Sequence, residues 1–286
     1  MSKVLHLSVH PRAECTGNCG CCYLKRLTDG NEVLDLETLK RRVEDVMAFY
    51  KKHGFDRMTL AYMINTTTPK KIAADCRLIP TLIQHEIKMK EVLDSFEIYI
   101  GNNMVDKASC KKEYNKSLAE MLALITHTKS ISNIDSSLWI SNAHELDVED
   151  EIMRDYLGTM MRTTSINITV TIYPEDDAAV LGSKIWRLIG VIGKEAIIYL
   201  NILDSNCKVH KKCVETAMIL MKRYLLGLNV EPDFCIVRDD SAFHKVCTIF
   251  PDGSLKNCPY LPLDERNNSM LQERFCYEKC PHIDGA

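Results

Sequence analysis

Three absences bound the protein before any motif is read. No apolar stretch reaches the roughly 20 residues that cross a bilayer, so no membrane-spanning segment is expected. The start, MSKVLHLSV, has no basic leader, long apolar region or small-residue cleavage site, which makes the cytoplasm the expected compartment. The net charge is −3 and no long Lys/Arg run occurs, which leaves no general electrostatic ground for binding nucleic acid. What remains is ordinary for a soluble globular protein: 286 residues, 46% hydrophobic and 26% charged. That length fits one large α/β domain, or one such domain with a small appendage.

Cysteine is the residue in excess. The chain has 13, and in a reducing compartment they point to metal binding rather than to a disulfide framework. Four lie at 15, 19, 21 and 22, two are isolated at 76 and 110, and the others fall at 207, 213, 235, 247, 258, 276 and 280. They gather at the two ends of the chain and leave the middle poor in them.

Between these ends the hydrophobic pattern alternates regularly. Strands are predicted at 4–9, 57–64, 96–100, 136–141, 166–173 and 196–203. Helices are predicted at 34–54, 79–93, 112–127, 148–161, 178–193 and 213–228. Six strand–helix units argue for a parallel sheet with helices outside. They fall two short of a closed TIM barrel, so the predicted fold is α/β: a partial, TIM-like (β/α)6 barrel over residues 1–228. From about residue 229 the alternation stops. Residues 229–286 read as a small cysteine-rich extension with a hairpin at PDGS, of the kind that needs a metal to hold it together.

The first cysteine group, ECTGNCGCCYLK at 14–25, follows the first strand directly. In a parallel barrel ligands bind at the C-terminal ends of the strands, where this loop sits. Cys15-x3-Cys19-x2-Cys22 supplies three close thiolates, and Gly17 and Gly20 let the backbone fold tightly around a bulky group. An iron–sulfur cluster takes four cysteines, so three leave one iron open to a ligand from outside the protein. Zinc and unligated thiols are the alternatives; structural zinc prefers two C-x2-C pairs, and there is no second pair here.

C-x3-C-x2-C just past the first strand of a six-unit α/β chain resembles the radical SAM superfamily. The resemblance covers about residues 3–228. It implies a 4Fe–4S cluster on Cys15, Cys19 and Cys22 whose open iron chelates S-adenosylmethionine. It implies reductive cleavage to methionine and a 5′-deoxyadenosyl radical that abstracts hydrogen from a substrate, with a ferredoxin or flavodoxin as electron donor. Two features depart from the family. Cys21 stands where an aromatic residue usually precedes the third cysteine, with Tyr23 after it instead. The Gly-Gly-Glu element after the second strand is absent, and YMINTTTPKK stands in its place. Tyr23, Asn65, Asn102 and Ser141 are the candidate polar contacts to the cofactor, and Asn103 and Asn142 are similarly placed. No catalytic side chain is assigned.

The tail stretch DGSLKNCP resembles the SPASM/Twitch extension of radical SAM enzymes, in its shorter, single-cluster form. That likeness implies an auxiliary 4Fe–4S cluster on Cys247, Cys258, Cys276 and Cys280, with Cys235 as the substitute ligand. A zinc staple is the alternative reading of the same thiols. Cys207 and Cys213, with His210 between them, are either a further ligand pair or free thiols, and Cys76 and Cys110 are expected to be ordinary buried or loop cysteines. Such extensions often accompany peptide or protein modification. The rival expectations are biosynthesis of a small molecule or cofactor, and a non-catalytic cluster protein that carries electrons or iron–sulfur units.

Overall fold

Strand segments of period two send successive side chains to opposite faces, and this chain uses the two faces very differently. The computed structural model describes residues 4–13, 32–64, 68–78, 92–101, 135–202, 210–232 and 244–256. Nine strands form one sheet: β1 Val4–Val9, β2 Arg57–Ile64, β3 Leu93–Gly101, β4 Asp135–Ser141, β5 Ser165–Thr171, β6 Ile197–Asn201, β7 Asn229–Pro232, β8 His244–Ile249 and β9 Leu255–Lys256. Their order is β7-β6-β5-β4-β3-β2-β1-β8-β9, and every pairing is parallel except β8 with β9. The result is a curled, TIM-like half-barrel of eight parallel strands with five helices among the described residues.

The partial barrel expected from the sequence is therefore present, with two more parallel strands than the six predicted. The added strands, β7 and β8, lie past residue 228 and continue the sheet at its two sides. The hairpin expected at PDGS is the β8–β9 turn, closed by hydrogen bonds from Phe250 N to Ser254 O and from Gly253 N to Phe250 O, both 2.9 Å. Gly253 takes φ of 76° there, a left-handed conformation natural to glycine. Residues 257–286 lie outside the described residues.

The helices are α1 Leu36–His53, α2 Pro69–Cys76, α3 Glu151–Met161, α4 Ala178–Ile192 and α5 Lys211–Ile219. Three are started by an aspartate whose carboxylate accepts a first-turn N–H: Asp35 from Thr38, Asp150 from Met153, and Asp177 from Ala179 and Val180. α1 stops at Gly54 in the left-handed conformation. α2 was not foreseen, and the predicted helices at 79–93 and 112–127 lie almost wholly or entirely outside the described residues. The helix predicted over 213–228 is α5 followed by a π-turn at Leu220–Tyr224. That turn presses on Gly182 of α4, where a Cβ would meet the Tyr224 Cβ at 2.8 Å, so the two segments pack only because Gly182 has no side chain.

The helices cover the convex face of the sheet. Leu5, Leu7 and Val9 of β1, Leu60, Tyr62 and Ile64 of β2, and Phe96 and Ile98 of β3 are all fully buried in the core beneath them. Each such side chain contributes about 1.5–3 kcal/mol of transfer free energy. No helix among the described residues is long and apolar enough to cross a membrane.

Candidate functional site

β1 delivers the chain to the C-terminal edge of the sheet, and the next residues form a neck there. His10 N donates to Ile249 O at 2.9 Å, Ala13 N to Glu32 O at 3.0 Å and Leu34 N to Pro11 O at 2.9 Å, around an antiparallel bridge between Arg12 and Val33. Ala13 and Glu32 are thereby held side by side, with Cys15, Cys19 and Cys22 in the sequence between them. The neck is pinned to α2 by an ion pair. Arg12 donates from Nε to Asp75 Oδ2 at 3.1 Å and from a terminal nitrogen to Oδ1 at 2.8 Å, with only 10% and 2% of the two side chains exposed. This two-pronged geometry suits guanidinium and carboxylate, and Tyr62 donates its hydroxyl to Asp75 O at 2.7 Å. Burial first, and then the Asp75 charge, hold the Tyr62 phenol well above its ordinary pKa.

Beside the neck, His10 stacks on Phe250, with ring centroids 5.9 Å apart and planes 12° from parallel. Burial lowers its pKa from 6.5 to about 3, so the imidazole is neutral at any physiological pH.

Most residues singled out in the sequence lie outside the described residues: Cys15, Cys19, Cys21, Cys22, Tyr23, Asn65, Asn102, Asn103, Cys110, Cys207, Cys235, Cys258, Cys276 and Cys280. Ser141 closes β4 opposite Gly101 and Thr169, half-buried on the concave face. Asn142 is next, at φ 53°, and its Oδ1 accepts from Thr171 N at 3.1 Å, which ties the end of β4 to β5. Cys247 pairs in register with Leu7, is fully buried and belongs to the convex-face core. Cys213 in α5 and Cys76 in α2 are buried in the same core, and His210 precedes α5 at an exposed position. Among the described residues no three His, Cys, Asp or Glu side chains gather as a metal site.

The concave face holds residues that sequence reading missed. One register row runs Thr248, Ser8, Ala61, Glu97, Ser137 and Ser165 across β8, β1, β2, β3, β4 and β5. A closed barrel fills such layers with bulky branched side chains; this row is small and polar. One step toward the C-terminal edge, Tyr99 and Trp139 stack with centroids 5.2 Å apart and planes 11° from parallel. Tyr99 donates its hydroxyl to Glu97 Oε2 at 3.2 Å, and Trp139 Nε1 donates to Ser137 Oγ at 3.1 Å. Burial, opposed by the Tyr99 hydrogen bond and assisted by the charge of Glu231 on β7, raises the Glu97 carboxyl from 4.5 to about 7. Tyr99 in turn is held well above its ordinary pKa by burial and by Glu97, with smaller effects from Tyr199 and Glu231. The available signal was the alternation in SFEIYIG and SSLWIS, whose off-phase positions carry Glu97, Tyr99 and Trp139.

No family model matches the chain, and no curated protein matches it. Among solved structures it is similar to amidohydrolase 2 from Bifidobacterium longum subsp. infantis, at 11% identity and a TM-score of 0.25, over 71% of this chain and 84% of that one. A likeness that weak says nothing of what this chain does.

Proposed function

We propose that the chain is a radical SAM enzyme, an oxidoreductase or maturase that binds S-adenosylmethionine at a 4Fe–4S cluster held by Cys15, Cys19 and Cys22. The observation that carries this reading is the neck. It opens at the C-terminal edge of β1, the edge at which parallel barrels bind ligands, and it closes on Arg12 and Asp75. Three thiolates are the donor chemistry that such a cluster takes, with one iron left for the substrate. Bound and reduced, the cluster would supply the electron that splits the sulfonium of S-adenosylmethionine to methionine and a 5′-deoxyadenosyl radical.

The chain's own residues would do the rest. The Arg12–Asp75 pair fixes both ends of the cysteine segment to α2. His10 and Phe250 give the neck a neutral, apolar flank that keeps water away. Ser141, with Tyr23, Asn65 and Asn102, would contact the polar groups of S-adenosylmethionine, and the polar concave face would receive the substrate. An auxiliary 4Fe–4S cluster would draw on Cys247, Cys258, Cys276 and Cys280, with Cys235 as the substitute ligand. The substrate we favour is a peptide or protein, with a small molecule as the alternative. The compartment we assign is the cytoplasm, where a ferredoxin or flavodoxin would deliver the electron.

The test is reduction of anaerobically purified, cluster-loaded protein with dithionite in the presence of S-adenosylmethionine. 5′-Deoxyadenosine and methionine are the expected products. Intact, reduced clusters that yield neither would favour the non-catalytic carrier, which the missing Gly-Gly-Glu element keeps in view. Iron and zinc analysis of Cys258→Ala tests the tail: loss of iron is expected, and loss of zinc with iron retained would make it a staple.

A further inference from the structure

The outer surface of α4 and the π-turn sets an exposed aromatic ring among cations, and the chemistry proposed above makes no use of it. Trp186 on α4 is 36% exposed. Its Nε1 donates to Tyr224 O in the π-turn, and Lys194 Nζ lies 5.7 Å from the centre of its ring. Lys222 and Arg223 stand just before Tyr224, Leu226 shortly after it is 65% exposed, and Arg187 follows Trp186 along α4. We propose that this surface docks an acidic polypeptide, whose carboxylates meet Arg187, Lys194, Lys222 and Arg223 and whose apolar side chains lie against Trp186 and Leu226.

Charge complementarity identifies the partner. Arg187, Lys194, Lys222 and Arg223 are all exposed, and none of them forms an ion pair among the described residues. On the other side of the molecule the surface cations are paired, Lys40 with Glu37, Arg42 with Asp45 and Arg57 with Asp94. α4 has no carboxylate of its own, and Glu195 is the acid beside Lys194. A cluster of one sign draws an oppositely charged partner and sets its orientation, and Trp and Arg are the side chains that most often dominate protein–protein contacts. A separate observation concerns the space beside the ring. Ser183 and Gly190 lie one turn to either side of Trp186 on the same face of α4. Glycine inside a helix costs stability relative to alanine, yet a Cβ at Gly190 would meet nothing within 4 Å. Packing within the chain therefore does not call for glycine there, and its effect is to keep the helix bare beside the indole.

The same features favour a polypeptide over lipid or nucleic acid. The bond from Trp186 to Tyr224 holds the indole against the protein, so the ring does not swing out into a bilayer. Leu181, Ile185, Leu188 and Ile189 anchor the apolar face of α4 in the core, whereas a helix that lies in a membrane buries that face in lipid. The net charge of −3 works against a long phosphate backbone. It does not work against a short acidic segment confined to this patch, because salt screens the more distant acids. The inference stands on this helical surface alone, and its failure would leave the radical SAM reading untouched.

Fluorescence anisotropy on the full-length protein tests it, with labelled peptides of Glu-Glu-Leu repeats and of Lys-Lys-Leu repeats as probes. The acidic peptide should bind, more weakly as salt is added, and the basic one should not. Arg187→Glu combined with Arg223→Glu should weaken binding at least about tenfold. Gly190→Leu, which enters open space and suits a helix better than glycine, should keep the fold and still weaken binding about tenfold by covering the ring. Arg41→Glu, at an exposed position on α1, should leave binding unchanged. No binding of the acidic peptide, an equal loss in Arg41→Glu, or full binding in Gly190→Leu would overturn the proposal. So would tighter binding of phosphatidylserine vesicles or single-stranded DNA that is lost in the same variants, which would give the surface to lipid or nucleic acid.

Discussion

Leu60 and Ala61 are neighbours in β2 and face opposite ways. Leu60 sits under the helices among Leu7, Phe96 and Ile98, wholly buried. Ala61 lies in a row with Ser8, Glu97 and Thr248 on the concave side. The same contrast repeats along β3, where Phe96, Ile98 and Ile100 alternate with Glu97 and Tyr99. Parallel strands buried on both sides are ordinarily apolar on both. Here one face has the composition of a core and the other carries small and polar side chains beside the Tyr99–Trp139 stack, so alternate residues of the same strands meet different surroundings.

The largest effect is expected where the two faces meet, at the neck. Asp75→Ala leaves the Arg12 guanidinium buried without its partner and should cost about 3–5 kcal/mol in urea denaturation, whereas an exposed pair such as Arg57–Asp94 should cost about 1 kcal/mol or less. On the convex face, Leu60→Ala should cost about 2–5 kcal/mol, from lost burial and the cavity left behind. A small loss there would mean that this face is not the core.

The concave face should instead reveal itself through pH. Glu97 has a folded pKa of about 7 against an ordinary 4.5, so the folded state holds the proton more tightly. Its stabilising effect is complete below pH 4.5 and is lost as the pH rises through about 7. His10, lowered from 6.5 to about 3, acts in the opposite sense: its contribution is complete above 6.5 and is lost as the pH falls. Between about pH 4.5 and 6.5 the two slopes oppose each other. Glu97→Gln should therefore make stability rise with pH by about 1.4 kcal/mol per unit more than in the wild type. An unchanged slope would remove Glu97 from its buried place. The smallest effect is expected at Thr248→Val, which deletes a buried hydroxyl that has no hydrogen-bond partner among the described residues at nearly constant shape and should be neutral or stabilising by about 1 kcal/mol in thermal denaturation.

What could be read from the sequence was what is decided locally. α1 was placed within two residues because Asp35 and Gly54 mark its ends and its apolar residues keep helical spacing. β7 was missed because NVEP has no apolar run; its strand conformation comes from pairing with β6. α2 was missed because eight residues behind a Thr68 that makes no side-chain cap bond give little periodic signal. The mouth of the barrel was legible, since a cysteine segment directly after the first strand must begin at that edge. The Arg12–Asp75 pair spans 63 residues, and the Tyr99–Trp139 stack joins β3 to β4. No local pattern encodes either.

The central claim is that the segment between Ala13 and Glu32 holds a cluster that activates S-adenosylmethionine. The most direct measurement is the 5′-deoxyadenosine yield of reduced, iron-loaded wild type beside Cys15→Ala, Cys19→Ala, Cys22→Ala and Cys21→Ala. The account predicts turnover in the wild type and in Cys21→Ala, and loss of at least about a hundredfold in the other three, since a ligand removed from a three-thiolate site leaves the cluster unheld. Wild-type protein that is fully loaded and reduced yet forms no 5′-deoxyadenosine would contradict it.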